Sequence, residues 1–309
     1  MSRPLGITIG MTSTVRITNS ILQRTTLAGI QHNLREIQRA ADRVASGSRI
    51  GAASDDPGVA GTVLRTDSQL RALGQYQRNI SSARTRLELE ETVLDQLTDL
   101  LSRAREISMR EGSANATPET RRAALAEVGQ LRDMVVTLGN TRLGGLYLFG
   151  GLEADQAPLS SDSGGSIQIE RVSGGADQIE VGASQIVRAN HNAAEIFEDT
   201  GLIDSIEALY TALEGGEADA VAEAGRSASE ALDEVQALIG DLGARMVRLD
   251  IAEANIDALE INLQTFRSDL TEVEFEEAIT ELIGRQTALQ AALVATSRIL
   301  HTTLTDYLR

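Results

Sequence analysis

The sequence contains no cysteine, no tryptophan and no lysine. Without cysteine the chain can form no disulfide, no zinc–thiolate site and no thiol nucleophile. Aromatic residues make up only 3% of the chain, whereas 42% of it is hydrophobic, mostly alanine, leucine, isoleucine and valine. This composition is typical of long helices rather than of a compact enzyme core. The 309 residues are enough for two or three domains of ordinary size.

Positive charge is scarce as well. The 28 basic residues, all of them arginines, face 45 acidic residues, and the net charge is −17. Because affinity for nucleic acid depends on clustered positive charge, we predict no nucleic-acid partner. No apolar run reaches the roughly 18 residues that a membrane span needs, so we also predict no membrane partner. The N-terminus lacks the apolar segment and the cleavage site of a secretory signal peptide.

Motifs that carry catalysis or hold a metal are not found in the sequence. The three histidines, His32, His191 and His301, lie far apart and have no companions at metal-ligand spacing. The glycines of GNTRLGGLYLFGG (139–151) do not have the spacing of a phosphate-binding loop, and neither a nucleophile elbow nor an HExxH motif occurs. We therefore predict no catalytic, cofactor or metal site, and a protein that is not an enzyme.

Both ends of the chain carry apolar residues at alternating steps of three and four, the spacing of a coiled-coil seam. Residues 11–46 have a net charge of +3 and residues 271–309 a net charge of −3, so we predict that the two ends pair. From Ala288 to Leu300 the apolar residues cover most of the helix circumference, which requires several neighbours. The predicted assembly interface consists of Ile30, Leu34, Ile37, Val44, Ile279, Leu282, Leu289, Leu293, Leu300 and Leu304.

A turn is predicted after the N-terminal seam. Gly47 is a natural helix stop, and the loop SRIGAASDDPG leads to a new helix. Asp56 suits its N-cap and Pro57 its first helical position, and capping is the expected role of the Asp55–Asp56 pair. At the other end of the chain, we predict a capping box formed by Thr271 and Glu274 at the start of the last helix.

The resulting fold class is mainly α: a long antiparallel helical hairpin or bundle, with paired N- and C-terminal coiled-coil helices and a small β-rich insert at the tip. Residues 57–111 form one helix, Thr117-Pro118 start another, and Gly215-Gly216 interrupt a third. Met11 is an alternative translation start to Met1. The predicted domains are an unstructured leader (1–10), a terminal helical assembly domain (11–55 and 265–309), a long-helix rod domain (56–138 and 201–264) and a β-rich insert (139–200).

Two blocks of sequence resemble the flagellin family, the secreted proteins of the bacterial flagellar axial structure. One is VASGSRIGAASDDPGVAG (44–61), and the other is LGARMVRLDIAEANIDALEINLQTFRSDLTEVEFEEAI (242–279). Within the family, GNTRLGGLYLFGG, the proline at Pro57 and the ending LTDYLR are similar to the members that join hook and filament, rather than to filament flagellins. The resemblance therefore indicates a structural protein of the flagellum.

The resemblance implies an extracellular protein of the bacterial flagellum, exported by the type III apparatus without a cleaved signal peptide. It implies terminal helices that fold when subunits stack, and no cofactor. The implied partners are flagellin, hook-associated protein 1, copies of the same chain in a ring and an export chaperone on the C-terminal helix. Two alternatives remain open: a filament-forming flagellin and, more remotely, a soluble helical signalling or adaptor rod.

Overall fold

The computed structural model describes residues 19–113, 116–170, 175 and 178–307 of the chain. The predicted leader and the alternative start at Met11 lie outside the described residues. The chain divides into two compact units. Unit 1 comprises residues 1–67 and 264–309, and unit 2 comprises residues 68–263.

Long helices dominate the described part of the chain, and the predicted mainly α class is confirmed. The two longest, α2 and α5, have 55 and 54 residues, and each contributes to both units. The helices are α1 (Asn19–Ser46), α2 (Pro57–Glu111), α3 (Pro118–Gly139), α4 (Leu202–Gly215), α5 (Ala218–Thr271) and α6 (Phe275–Tyr307).

Local signals in the sequence account for where several of these helices begin and end. The Thr117 hydroxyl accepts a hydrogen bond from the Thr120 N–H at 3.2 Å, and the Thr120 hydroxyl accepts one from the Thr117 N–H at 3.0 Å. This reciprocal pair satisfies free N–H groups at the start of α3. Gly201 and Gly216 flank α4 with φ values of +70° and +77°, a backbone conformation that glycine adopts at little cost.

Unit 2 is built around an antiparallel pair formed by α2 and α5. Arg84 bonds Asp250 and Glu253, each at 2.7 Å, and Gln77 bonds Asp257 at 3.0 Å. Residues with lower numbers on α2 thus pair with residues with higher numbers on α5, so the two helices run antiparallel. The core between α2, α3, α4 and α5 includes the buried residues Ile80, Leu87, Leu94, Leu101, Ile107, Val128, Val135, Leu209, Val221, Val235, Leu242 and Leu249.

Residues 139–200 contain three small antiparallel sheets, as the β-rich prediction requires. Each sheet pairs two neighbouring strands. Phe149 and Phe197 pack edge to face beside them, with ring centroids 5.9 Å apart. The strands are β1 (Arg142–Leu143), β2 (Leu146–Tyr147), β3 (Leu159–Ser161), β4 (Ile167–Ile169), β5 (Gln178–Gly182) and β6 (Gln185–Arg188).

The predicted capping box at the start of α6 is wrong. Thr271 is the last residue of α5, and its hydroxyl donates to the Arg267 carbonyl at 2.8 Å. Helix α6 begins four residues later, at Phe275, and the Glu274 carbonyl accepts the Ala278 N–H at 3.0 Å. A threonine followed three residues later by a glutamate satisfies the motif in sequence, but here the intervening residues form the turn between two helices.

Candidate assembly interface

Helices α1 and α6 pack against each other within unit 1. The less exposed residues of each helix recur at steps of three and four, as in a coiled-coil seam. Two alanines, Ala40 of α1 and Ala278 of α6, are buried. The facing residues are Thr26, Ile30, Asn33, Ile37, Ala40 and Val44 on α1, and Ala278, Leu282, Arg285, Leu289, Ala292 and Thr296 on α6.

Ion pairs align the two helices in antiparallel directions. Arg43 lies 2.9 Å from Glu281, and Glu36 lies 3.1 Å from Arg285. The hydrogen bond from Arg285, helped by Arg43, lowers the pKa of Glu281 below its ordinary value, although partial burial of the carboxylate opposes this. The first pair has the predicted polarity, basic on the N-terminal helix and acidic on the C-terminal one, whereas the second is reversed. Local pairs, as well as net charge, set the alignment.

The loop between α1 and α2 is attached to the end of α5. Gly47 has a φ of +66°, and its carbonyl accepts the Val273 N–H at 3.0 Å. The Arg49 N–H donates to the Thr271 carbonyl at 2.7 Å. Within unit 1, these bonds hold the turn that follows α1 against the turn that precedes α6.

The acidic residues of this loop accept backbone hydrogen bonds. Asp55 accepts from the N–H groups of Gly51 at 3.1 Å and Ala52 at 2.9 Å. Asp56 accepts from the N–H groups of Gly58 and Val59, each at 3.1 Å, and Pro57 is the first residue of α2. Both carboxylates are thus engaged in shaping the loop and capping the helix.

Among the described residues of unit 1, a second apolar face of the α1–α6 pair is left uncovered. At about 100° of rotation per residue, the α6 part of this apolar face lies roughly 110° around the helix axis from the face that meets α1. On α1, Leu27 and Leu34 lie roughly 80° from the contact face, in the same rotational sense. Because α1 and α6 run antiparallel, rotation in the same sense about each helix axis, viewed along that helix's own direction, brings the α1 residues and the α6 residues to the same side of the pair. We call this set the outer apolar surface: Leu27, Leu34, Phe275, Ile279, Ile283, Leu293 and Val294, all exposed.

The structure places the ten residues of the predicted assembly interface in three groups. Ile30, Ile37, Val44, Leu282 and Leu289 are half-buried and lie on the faces through which α1 and α6 meet. Leu34, Ile279 and Leu293 belong to the outer apolar surface and are 46%, 44% and 48% exposed. Leu300 and Leu304 lie on α6, but their side chains are outside the described part of the structure. The role of all ten in assembly stays a prediction.

A polar cleft of about 720 Å³ lies beside the α1–α2 loop. Its lining mixes four arginines (Arg39, Arg43, Arg49 and Arg285) with four acidic residues (Glu36, Asp42, Asp55 and Glu281). The balanced charges give it no preference for an anion or a cation. Among the described residues, no group of three or more histidine, aspartate and glutamate side chains could hold a metal ion. Within the same residues, no helix is long and apolar enough to cross a membrane.

A buried polar cluster in unit 2 was not predicted from the sequence. The His191 Nδ1 lies 2.5 Å from Glu90 Oε1, and the His191 backbone N–H donates to the same carboxylate at 3.2 Å. On the other side of the ring, Arg245 Nη2 lies 2.8 Å from His191 Nε2. Because a guanidinium can only donate, Nε2 accepts from Arg245 and the Nδ1–H donates to Glu90. Both ring nitrogens are occupied, so the cluster serves to join the loop to α2 and α5.

The neighbouring carboxylate Glu195 is also engaged. Arg188 Nη2 donates to both of its oxygens, at 2.8 and 2.7 Å, and the Asn192 N–H donates at 3.0 Å. Partial burial raises the pKa of Glu195, but the hydrogen bonds from Arg188 and Asn192, together with nearby positive charge, outweigh it and hold this pKa below its ordinary value. Glu195 is thus held ionised as part of the loop structure.

These features define a class: a structural protein with long paired helices and an apolar surface suited to contact with other subunits. Residues 17–154 match the bacterial flagellin N-terminal helical region, and residues 226–308 match the bacterial flagellin C-terminal helical region. The chain belongs to the bacterial flagellin family, and is a structural component of the bacterial flagellum rather than a member of an enzyme family.

Individual relatives agree with this placement. The chain is 25% identical to flagellar hook-associated protein 3 of Escherichia coli K12 over 309 aligned residues, covering 91% of this chain and 96% of that protein. The structure of a flagellar hook-associated protein from Vibrio parahaemolyticus superposes with a TM-score of 0.64 at 24% identity, over 71% of this chain and all of that one. The flagellar junction protein FlgL from Legionella pneumophila superposes with a TM-score of 0.56 at 16% identity, over 68% of this chain and all of that one. These two likenesses show the fold.

Proposed function

We propose that this protein joins the hook region of the bacterial flagellum to the flagellin filament. The observation that carries the proposal is the outer apolar surface on the α1–α6 pair, which leaves seven large apolar side chains exposed in the single chain. The similar proteins support a position at the junction of hook and filament, since they include a hook-associated protein 3 and a junction protein. A surface of this kind marks a site of protein contact.

The driving force for assembly is burial of this surface. Completing the burial of a half-exposed leucine or isoleucine contributes about 1 kcal/mol, so the set supplies several kcal/mol when subunits stack. Part of that free energy is used to order the terminal helices, because their pairing buries mainly small side chains such as Ala40 and Ala278. Folding of the ends is therefore coupled to stacking, and catalysis has no part in the function.

The proposal includes specific neighbours. Hook-associated protein 1 lies on the hook side, flagellin on the filament side, and further copies of this chain complete a ring. An export chaperone holds the C-terminal helix before the chain leaves the cell without a cleaved signal peptide, and the assembled protein is extracellular. The family membership supports a partner set within the flagellum.

A filament-forming flagellin is the second candidate, favoured by the family matches at both ends of the chain. The two functions differ in whether the protein polymerises without limit. We expect the purified chain to add to isolated hooks that carry the hook-side partner, and not to elongate short filament seeds. Electron microscopy of seeds, with flagellin as the positive control, measures this.

Indefinite growth of seeds by the purified chain would overturn the junction proposal and establish the flagellin alternative. Failure to add to either hooks or seeds would overturn both. The remoter alternative, a soluble signalling or adaptor rod, is disfavoured by the family membership and is tested separately by proteolysis of the isolated chain, as described below.

A further inference from the structure

The buried cluster around His191 in unit 2 joins one loop to two helices. The loop runs from the end of β6 to the start of α4, at residues 189–201, and His191 is 3% exposed. On the α2 side, Glu90 is fully buried, and all the hydrogen bonds that it accepts within the described part of the chain come from His191. On the α5 side, the ring meets Arg245. His191 is the only histidine in the sequence of unit 2, and histidine is the side chain whose charge ordinarily changes between about pH 8 and about pH 5.

The two nitrogens of the ring differ in how their hydrogen bonds depend on a proton. In this arrangement Nδ1 carries a hydrogen in both the neutral and the charged ring, so its bond to Glu90 Oε1, at 2.5 Å, is kept in either form. Nε2 accepts from Arg245 Nη2 at 2.8 Å only while the ring is neutral. When Nε2 takes up a proton, two donors and two positive charges face each other, and the bond is lost. A single proton therefore breaks the contact with α5 and leaves the contact with α2.

A replacement acceptor for the protonated ring is already in place. Asp241 lies one turn before Arg245 on α5, and its Oδ2 is 3.4 Å from His191 Nε2. The same oxygen lies 2.5 Å from Arg245 Nη2, so the guanidinium keeps a partner when it moves away from the ring. Arg245 Nη1 is buried without a hydrogen-bond partner among the described residues, so this nitrogen does not hold the guanidinium beside the ring. The geometry thus provides two hydrogen-bonding arrangements, one for each charge of the ring.

The other charged groups around the ring are compatible with a positive charge on it. His191 lines a cleft of about 330 Å³ between the loop and α5, and the charged residues that share this lining are Arg188, Glu195, Asp199 and Glu234. One of the three carboxylates is bonded to the guanidinium, and the other two are exposed. Together with Glu90 and Asp241, the carboxylates around the ring outnumber the arginines, and nearby negative charge favours the protonated form of a histidine. Protonation therefore rearranges bonds inside unit 2 rather than unfolding it.

We propose that His191 is an acid-sensitive latch within unit 2. While the ring is neutral, it ties the loop 189–201 to α2 through Glu90 and to α5 through Arg245. When the ring takes a proton from solvent, Nε2 donates to Asp241, Arg245 leaves its place beside the ring, and the loop loosens from α5. The latch lies within unit 2 and does not depend on the proposed hook–filament role, which uses the outer apolar surface of unit 1.

The position of hydrogen on the ring tests the first step. In the full chain labelled with ¹⁵N-histidine, nuclear magnetic resonance reports which ring nitrogen carries hydrogen, and the signals of His191 are those lost in His191→Gln. We expect a protonated Nδ1 and an unprotonated Nε2 at about pH 7.5, and hydrogen on both nitrogens at about pH 5.5. A hydrogen on Nε2 at the higher pH, or a ring that stays neutral at the lower one, would overturn the proposal.

The loosening of the loop is measured by hydrogen exchange with mass spectrometry, on the full chain at the same two pH values. Each exchange rate is divided by the rate of an unstructured chain at that pH, which leaves the protection that the structure provides. Protection of the loop 189–201 should fall about tenfold at the lower pH, the scale expected for the loss of one hydrogen bond to a charged group. Protection of α3, which has no contact with the ring, should stay the same and serves as the internal reference.

Two variants connect the loosening to this ring and to its partner on α5. His191→Gln carries an amide that donates and accepts at either pH and does not titrate, so its loop should be equally protected at both. Arg245→Met removes the donor from α5, so its loop should be equally loose at both. Arg248→Met is the matched control, because it removes the same charge from an exposed position of α5 and should preserve the wild-type change.

The contrary results are distinct. If the loop of His191→Gln loosens in acid as much as that of the wild type, another group is responsible and the latch is wrong. If Arg248→Met loses the pH dependence as Arg245→Met does, the effect is one of general charge, which also overturns the proposal. Circular dichroism verifies that the variants are folded, and the resonance measurement on the wild type decides the first step without them. None of these results bears on addition to hooks or filament seeds, so the two proposals fail independently.

Discussion

At the scale of single residues, Gly225 allows α5 to pass close to α2 inside unit 2. A Cβ at this position would lie 2.0 Å from the Ser108 Oγ and 2.7 Å from the Ser108 Cβ. Rotation of the serine can move the hydroxyl, but the Cβ stays in place because it is attached to the backbone. A side chain at 225 therefore forces the two helices apart at a tightly packed point.

We expect Gly225→Ala to destabilise the protein by about 1–3 kcal/mol, the usual cost of overpacking a core. Gly243→Ala, also in α5, is the matched control, because a Cβ there meets no atom within 4 Å. The control should stabilise by about 0.5–1 kcal/mol, since alanine favours a helix more than glycine does. Chemical denaturation of both variants measures the difference, and equal shifts would contradict the packing argument.

At the scale of a helix, α6 has two apolar faces with different roles. One face meets α1 through Leu282 and Leu289, which are half-buried, and the other forms most of the outer apolar surface. A charge on the first face disturbs the α1–α6 pair itself. A charge on the second leaves the single chain largely intact and acts only when subunits meet. This difference makes the outer surface testable with adjacent residues.

Ile279→Asp and Thr280→Asp place the same charge at neighbouring exposed positions of α6. Only Ile279 belongs to the outer apolar surface. We expect both variants to unfold within about 1 kcal/mol of the wild type, because exposed substitutions have small effects. Ile279→Asp should fail to enter flagella, since assembly would bury an unpaired carboxylate, whereas Thr280→Asp should enter normally. Immunoblotting of isolated flagella measures incorporation, and normal incorporation of Ile279→Asp would refute the assigned surface.

At the scale of the whole molecule, the two units differ in how much they bury. Unit 2 contains nearly all of the buried apolar residues in the described part of the chain. In unit 1, the described residues that are buried are Ala40, Thr66 and Ala278, all of them small. Since local opening costs least where few apolar contacts are lost, α1 and α6 open more easily than the helices of unit 2.

Limited proteolysis of the isolated chain should therefore trim residues 11–46 and 271–309 rapidly and leave a resistant fragment that contains 68–263. Mass spectrometry identifies the fragment. The same digestion of assembled flagella should spare both ends, because stacking buries the outer apolar surface. Ends that resist digestion in the dilute, isolated chain would instead support the adaptor-rod alternative, in which the terminal helices form a stable pair without other subunits.

The sequence by itself determined the helices and many of their ends. The Asp56-Pro57 start of α2 and the Thr117-Pro118 start of α3 could be read because a cap depends on residues within one turn of each other. The long apolar seams and the β-rich segment between them follow from periodicity in the same way. The capping box at Thr271 failed for a related reason: the motif is local, but the turn at 272–274 is held by bonds to the distant residues Gly47 and Ser48.

Only the tertiary structure decided which residues meet. Glu90 and His191 are 101 positions apart, and the sole sequence signal was a charged residue at a seam position between Leu87 and Leu94. Likewise, periodicity could not assign Ile279 and Leu282 to different faces of α6. Adjacent stripes on a helix differ by a rotation of about 100°, and which stripe is covered depends on where the partner helix lies. Interactions between residues that are close in sequence determine that a segment is helical, whereas packing against distant segments determines which face of that helix is buried.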